Sequence, residues 1–500
     1  MQAIAKQSSR KHAPAKDREG EKAYCNNPSV ALTHHEAKLP TCRLFDDSHL
    51  LPIVGNLAAG HPICLDLGVL LFPFGRPQHL SRPPPMGTYL DKPRVEKANE
   101  SGNGAGVRYG VATMQGWRIE MEDAHVARTN LESPWSNWSF FAVFDGHAGS
   151  RVAKYAAANL LDVFVSTGEM VELKERLTAK SEQSILDKEE VELVRQGLRN
   201  AFLKLDEAMR NLPELSGDNE KSGSTVVCAL ITPDHIFVAN LGDSRALLCQ
   251  DGRVSFATED HKPYLPKERC RIVNAGGSVM IDRVNGSLAV SRALGDYEYK
   301  SVGGLNACEQ LVSPEPDLFV IERAAEPNEE FLLLACDGVF DVTTNQELCD
   351  FILSRLRVSG DLAIICNEIL DSCLSKDSRD NMSVVLVALP GAPAVSNEAV
   401  EHEKHLENIL RERIESIVQR CENAELATYQ YVTKMLTRED IPGLPPGSGL
   451  HALRGKVETI LDAVRRRFQT GGGGADHTDN VQSSCHVEND TAEFKGDMDQ

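Results

Sequence analysis

Three absences narrow the reading of this chain before any motif is considered. No apolar run approaches the ~18–20 residues that a membrane-spanning helix needs. The longest candidate, residues 63–74, is broken by Asp66 and Pro73, and it lies too far in for a secretory signal because residues 1–20 are polar. No C-x-x-C pair occurs among the thirteen cysteines, which are scattered and odd in number. That pattern fits reduced thiols of the cytosol or nucleus, rather than a disulfide framework or a zinc site. Basic residues are also in deficit: 53 Lys and Arg against 73 Asp and Glu leave a formal charge of −20. A generic nucleic-acid partner, which needs a broad basic face, is thereby excluded. What remains is an ordinary globular make-up, 41% hydrophobic and 25% charged. Its 500 residues are enough for two to four domains.

The chain is uneven along its length. Residues 1–85 show no sustained helical or strand period and end in Pro83-Pro84-Pro85, which reads as a disordered extension. Strand-like patterns are expected to begin after a Gly/Asn-rich joint at 101–106, first at 108–115 and then in the continuous apolar run 139–144. Helical patterns follow at 149–165 and 191–209. Short strand candidates at 224–231, 235–240, 244–249 and 253–256 are separated by turn residues. A buried strand at 331–335, helices at 345–356 and 362–374, and a strand at 382–389 complete the region. Strands outnumber helices, and helices come in pairs between groups of strands. The expected class is α+β: two stacked antiparallel sheets flanked by pairs of helices, an α-β-β-α sandwich. Residues 86–390 form this domain. Residues 391–470 read as a three-helix appendix, with helices at 397–419, 424–436 and 450–468. Residues 471–500 follow as a disordered tail, with seven acids against Lys495 from 475 onward.

Carboxylates recur where buried strands end. Residues 140–144 run into Asp145-Gly146-His147, residues 331–335 run into Cys336-Asp337-Gly338, and Asp380 precedes the strand at 382. One Asp-Gly pair at a strand end is most simply a turn. Three such acids, from distant segments, converge if the strand ends share a rim. They would then repel unless protonated or bound to a cation. Oxygen ligands without a His/Cys cluster favour magnesium or manganese over zinc. Glu120-Met121-Glu122-Asp123 taken alone is a solvated charge run, and Asp243 sits in the turn Gly242-Asp243-Ser244-Arg245.

These residues resemble a known family. Arg118-Ile119-Glu120-Met121-Glu122-Asp123-Ala124-His125 and Phe144-Asp145-Gly146-His147-Ala148-Gly149 are similar to the opening signature of the metal-dependent type 2C protein phosphatases. Gly242-Asp243-Ser244-Arg245, Asp260-His261-Lys262-Pro263, Ser291-Arg292-Ala293-Leu294-Gly295-Asp296, Cys336-Asp337-Gly338 and Asp380-Asn381-Met382-Ser383 follow in the family's order, covering about residues 109–389. The animal alpha/beta subgroup, with its C-terminal three-helix extension, is most similar. The resemblance implies two Mg2+ or Mn2+ ions and a bridging hydroxide that attacks the phosphorus of phosphoserine or phosphothreonine without a phosphoenzyme. Asp145 would bridge both ions, the Gly146 carbonyl would join the second, and Asp337 and Asp380 would hold the first. Glu122 and Asp123 would hold metal-bound waters, and Asp243 matches a position implicated in a weaker third ion. Arg118 matches the phosphate-binding arginine, and His147 the general acid. Residues 261–300 correspond to a flap beside the groove.

The resemblance also implies a monomer acting on phosphorylated kinases and other signalling proteins in cytosol and nucleus. Relatives begin at the equivalent of Met86-Gly87 and can be N-myristoylated on that glycine. Membrane attachment is therefore expected only if translation starts at Met86, and Asp91 departs from the Ser/Thr of the acylation pattern. Phe340 replaces a tryptophan of the subgroup, a packing change near the site. Cys336 reads as a buried strand residue and His125 as structural. A non-catalytic phosphoprotein-binding regulator on the same fold should have lost one of Asp145, Asp337 or Asp380, and all are present. Hydrolysis of a small phosphoester is the remaining enzymatic alternative.

Overall fold

The computed structural model describes residues 89–470, except 179–184, 218–219, 324–327, 422 and 448. The expected N-terminal extension, Gly87 and the acidic tail lie outside the described residues. Among those described, no helix is long and apolar enough to cross a membrane.

Two antiparallel sheets form the centre. The six-stranded sheet runs in the order β1 (Tyr89–Gly104), β2 (Val107–Arg118), β16 (Met382–Ala388), β15 (Glu329–Ala335), β9 (Arg245–Gln250), β10 (Arg253–Ala257). The five-stranded sheet is β14 (Asp317–Glu322), β8 (His235–Leu241), β7 (Val226–Ile231), β4 (Ser139–Phe144), β3 (Ala124–Thr129). A short ladder joins β13 (Leu294–Gly295), β6 (Gly223–Ser224) and β5 (Gly146–His147), and a separate hairpin pairs β11 (Val279–Met280) with β12 (Arg283–Val284).

The continuous apolar runs have a direct cause. Along β4, Phe141 and Val143 pack between the sheets against Val227, Leu332, Leu334 and Val385. Phe140, Ala142 and Phe144 point the other way, into a core with α1 (Arg151–Val165), α2 (Gly168–Thr178) and α3 (Lys188–Arg210). Strands covered on both faces cannot alternate with polar residues. The six-stranded sheet buries Met114, Leu333 and Val384 against α7 (Asn345–Leu356) and α8 (Leu362–Ser375). The layers are therefore helix, sheet, sheet, helix, as expected. Capping boxes start two of these helices, Asp187 with Glu190 at α3 and Thr344 with Glu347 at α7. The short helices α4 (Pro213–Ser216) and α6 (Asp337–Phe340) lie between larger elements.

Three local expectations change. Residues 101–104 belong to β1, and only Ala105 and Gly106, both at positive φ, make the two-residue turn into β2. β1 is not legible in the sequence because it is an edge strand, bulged and without a buried residue, so it needs no apolar face. The helix expected at 424–436 is α10 (Tyr429–Leu436), preceded by a 3-10 turn at Ala424–Leu426 and capped by the Thr428 side chain. That expected at 450–468 is a 3-10 turn (Gly449–Leu453) followed by α11 (Arg454–Thr470).

The C-terminal helices are fixed to the sandwich. Arg355 of α7 is buried between Glu368 of α8 (2.7 Å) and Glu403 of α9 (Asn397–Gln419; 2.8 Å), and Lys456 of α11 meets the same Glu403. Ala452 packs into the α7/α8 core. The flap has its own small core of Ile272, Val284, Val290, Ala293 and Val312.

One buried acid anchors that flap. Glu268 of α5 (Pro266–Asn274) accepts from Arg292 (2.7 Å), Arg271 (2.5 Å) and Ser291 (2.7 Å). Burial opposes ionisation, but hydrogen bonds from Arg292 and Ser291 and the charges of Arg271 and Arg292 hold the carboxyl at about 2. A group depressed on folding stabilises above its unfolded pKa, and that stability fades as pH falls through the folded value. Glu268→Gln should therefore lose ~1–3 kcal/mol at pH 7. The deficit should shrink as pH falls from about 4.5 toward about 2. Denaturant titrations of both proteins across that range check it, and a pH-independent deficit would refute it.

Candidate metal centre and active site

Antiparallel order alone brings the candidate residues to one rim. The C-terminal ends of β2, β15, β4 and β8 lie beside the N-terminal ends of β16, β9, β7 and β3. Asp145 follows β4, Asp243 lies between β8 and β9, Asp337 opens α6 just after β15, and Asp380 stands before β16. Arg118 ends β2, and Glu122 and Asp123 occupy the loop to β3. Neither Gly146 nor Gly338 has a left-handed φ. They are not turn glycines: a Cβ on Gly146 would strike the Glu122 carbonyl, and one on Gly338 the Asn381 carbonyl. Close approach of backbones selects glycine after both aspartates.

Asp145, Asp243 and Asp337 each offer a carboxylate oxygen within 4.8 Å of the others. Burial, then the neighbouring aspartates, push Asp145 and Asp337 well above the usual carboxylate range. Asp123 is pushed up to about 7, chiefly by burial. Its Oδ2 accepts from Ser383 Oγ (2.7 Å), whereas its buried Oδ1 has no partner. Converging acids and an orphaned acceptor fit divalent cations and their waters, and an all-oxygen donor set fits Mg2+ or Mn2+.

Asp380 is placed differently. Its Oδ2 accepts from Arg118 Nη2 at 2.5 Å, and its Oδ1 from the Asn381 amide. Asp243 Oδ2 pairs with Lys262 Nζ at 2.5 Å. Arg118, Glu122, Asp145, His147, Lys262 and Asp337 line a cavity of about 470 Å³ whose far wall is Arg283 and residues 288–290 of the flap region. His147, closing β5, contacts Asp296 (Nε2 to Oδ2, 2.8 Å). Burial would lower its pKa, but the Asp296 charge and hydrogen bond leave it raised.

Cys336 is buried, and burial with Asp123, Asp145 and Asp337 raises its thiol well above the usual value. No thiolate nucleophile is available there. His125, on β3, lies beside Glu100 (3.3 Å). Phe340 stacks under Arg245, which also grips Asp260 and Asn345.

Several supporting residues have tasks that only their tertiary contacts reveal. Asn381 donates to the carbonyls of Gln115 and Glu120 and accepts from the Glu122 amide, so it clamps the acidic loop against β16. Thr225 donates its amide to the Asp145 carbonyl and shares a hydroxyl contact with Ser244, joining two ligand turns. Lys262 pairs with Asp243, and Asp296 with His147.

Residues 107–382 match the family described as "Protein phosphatase 2C", and residues 383–462 its "Protein serine/threonine phosphatase 2C, C-terminal domain". The chain is 50% identical over 396 residues to "Protein phosphatase 1B" of Mus musculus, covering 79% of this chain and 99% of that one. It is 51% identical over 379 residues to "Protein phosphatase 1A" of Bos taurus, covering 76% of this chain and 96% of that one. The same figures hold for "Protein phosphatase 1A" of Homo sapiens. A family match across more than half its length, with half-identical relatives covered almost end to end, makes this chain a member of the protein phosphatase 2C family, in the animal alpha/beta subgroup.

Proposed function

We propose that this Mg2+/Mn2+-dependent protein serine/threonine phosphatase hydrolyses phosphoserine and phosphothreonine by direct attack of hydroxide, without a phosphoenzyme. The observation carrying this reading is the cluster of Asp145, Asp243 and Asp337 in one cavity with Arg118. Two ions held by Asp145, the Gly146 carbonyl, Asp337 and Asp380, and a weaker third at Asp243, would supply that hydroxide near neutral pH. Glu122 and Asp123 would accept hydrogen bonds from ion-bound water, a role that fits the unpartnered Asp123 Oδ1. The Arg118 guanidinium binds two phosphoryl oxygens and offsets their charge. His147 gives a proton to the departing seryl or threonyl oxygen. Cys336, with its raised pKa, takes no part.

The substrates in this reading are phosphorylated kinases and other signalling proteins of cytosol and nucleus, met by a monomer. Arg283 and residues 288–290 of the flap region line the cavity and would meet residues flanking the phosphorylated one.

Phosphate release from a phosphothreonine peptide should require Mg2+ or Mn2+ and stop in excess chelator. Asp145→Asn should lower kcat by at least ~100-fold; full activity in chelator, or in this variant, would overturn the mechanism. Arg118→Ala should raise KM for phosphopeptides by ~10-fold or more. An unchanged KM removes Arg118 from phosphate binding.

A further inference from the structure

We propose that Asp296 is the positioning residue for His147, and that position 223 must be glycine so that the two side chains can meet. This rests on the reading of His147 as the proton donor.

The short ladder β13-β6-β5 sets up the encounter. His147 pairs with Gly223, and Gly223 pairs on its other side with Gly295. Residues 147, 223 and 295 thus lie abreast, although they are far apart in sequence. A Cβ on Gly223 would run into both His147 Nε2 and Asp296 Oδ2. Without one, the imidazole and the carboxylate close across the strand to 2.8 Å.

Asp296 is itself held from two sides. It has a left-handed backbone (φ 51°), donates its amide to the Ser222 carbonyl and is 3% exposed. Behind it, the buried Asp206 carboxylate accepts from the Gly295 amide (2.9 Å) and from Lys300 Nζ (2.7 Å), and Lys300 also reaches the Ala293 carbonyl. A buried charged pair thus fixes the segment that carries Asp296. Such support makes the His147 orientation independent of substrate.

The consequence is chemical. With Nε2 donating to Asp296, Nδ1 is the nitrogen left for the leaving oxygen. As the phosphorus–oxygen bond breaks, its electron pair goes to the seryl or threonyl oxygen, which takes the Nδ1 proton. The hydroxide oxygen stays on phosphorus as phosphate, and neutral His147 regains a proton from water. Asp296 holds the ring in place through Nε2 and stabilises the imidazolium before the proton is given.

Asp296→Asn preserves shape and tolerates a left-handed backbone. With Mn2+, its kcat on a phosphothreonine peptide should fall ~10- to 100-fold. On p-nitrophenyl phosphate, whose leaving oxygen needs no proton, it should fall far less. KM should be unchanged for both substrates. His147→Gln should show the same split, and the double variant should be no worse than the worse single one. In metal-free protein, the 15N signals of the His147 ring, assigned with His147→Gln, should shift in Asp296→Asn and in Gly223→Ala. If His147→Gln shows the split and Asp296→Asn does not, or if the ring signals stay fixed, the role of Asp296 is overturned while the acid assignment stands. Equal losses on both substrates in His147→Gln overturn the acid assignment itself. Thermal melts of each variant separate these outcomes from unfolding, and a loss that merely tracks melting also counts against the proposal.

Discussion

Mutual repulsion among carboxylates that the fold forces together is the constraint on which the rest of this structure depends. Antiparallel pairing places Asp145, Asp243, Asp337 and Asp380 at one rim, whatever their charge. Buried acids at such spacing are stable only with protons or cations among them. Lys262 pairs with Asp243 and Arg118 with Asp380, whereas Asp145 and Asp337 remain pushed well above the usual carboxylate range by burial and by their acidic neighbours. That residual imbalance is the binding energy a divalent ion can use, and the rim also attracts no anion until it is filled. A protein with a formal charge of −20 can then receive an anionic phosphate.

Holding such a site takes a scaffold that resists the repulsion. The central strands of both sheets are buried on two faces, so their ends have little freedom to separate. Polar clamps then tie neighbouring loops: Asn381 across to Glu120 and Glu122, Thr225 between the Asp145 and Asp243 turns, and Ser383 to Asp123. Farther out, charge pairs serve a similar purpose in drier surroundings. Glu268 gathers the flap through Arg271 and Arg292, and Arg355 gathers three helices through Glu368 and Glu403. Removing one member of such a buried set leaves its partners uncompensated, so these sets bind elements into one unit.

Much of this was legible in the linear chain, for identifiable reasons. Strands covered on both faces write themselves as uninterrupted apolar runs, and 139–144, 331–335 and 382–388 did so. β1 did not, because an edge strand needs no apolar face. The helix expected from 424 began at Tyr429, because Thr428 caps the chain there and helical composition extends past the cap. The two Asp-Gly pairs looked like turns; tertiary contact shows that the glycines make room for another backbone.

The sequence by itself determined the layer order, the placing of acids at strand ends, and the ordered motifs that mark the family, because these follow from local periodicity and composition. Only the tertiary structure decided which acids form a group and which partners steady them. Asp243 joins Asp145 and Asp337 while Asp380 turns to Arg118, and Asp296 reaches His147 across Gly223. These contacts join residues separated by scores of positions, through strand register and side-chain direction. Spacing along the chain does not encode either one.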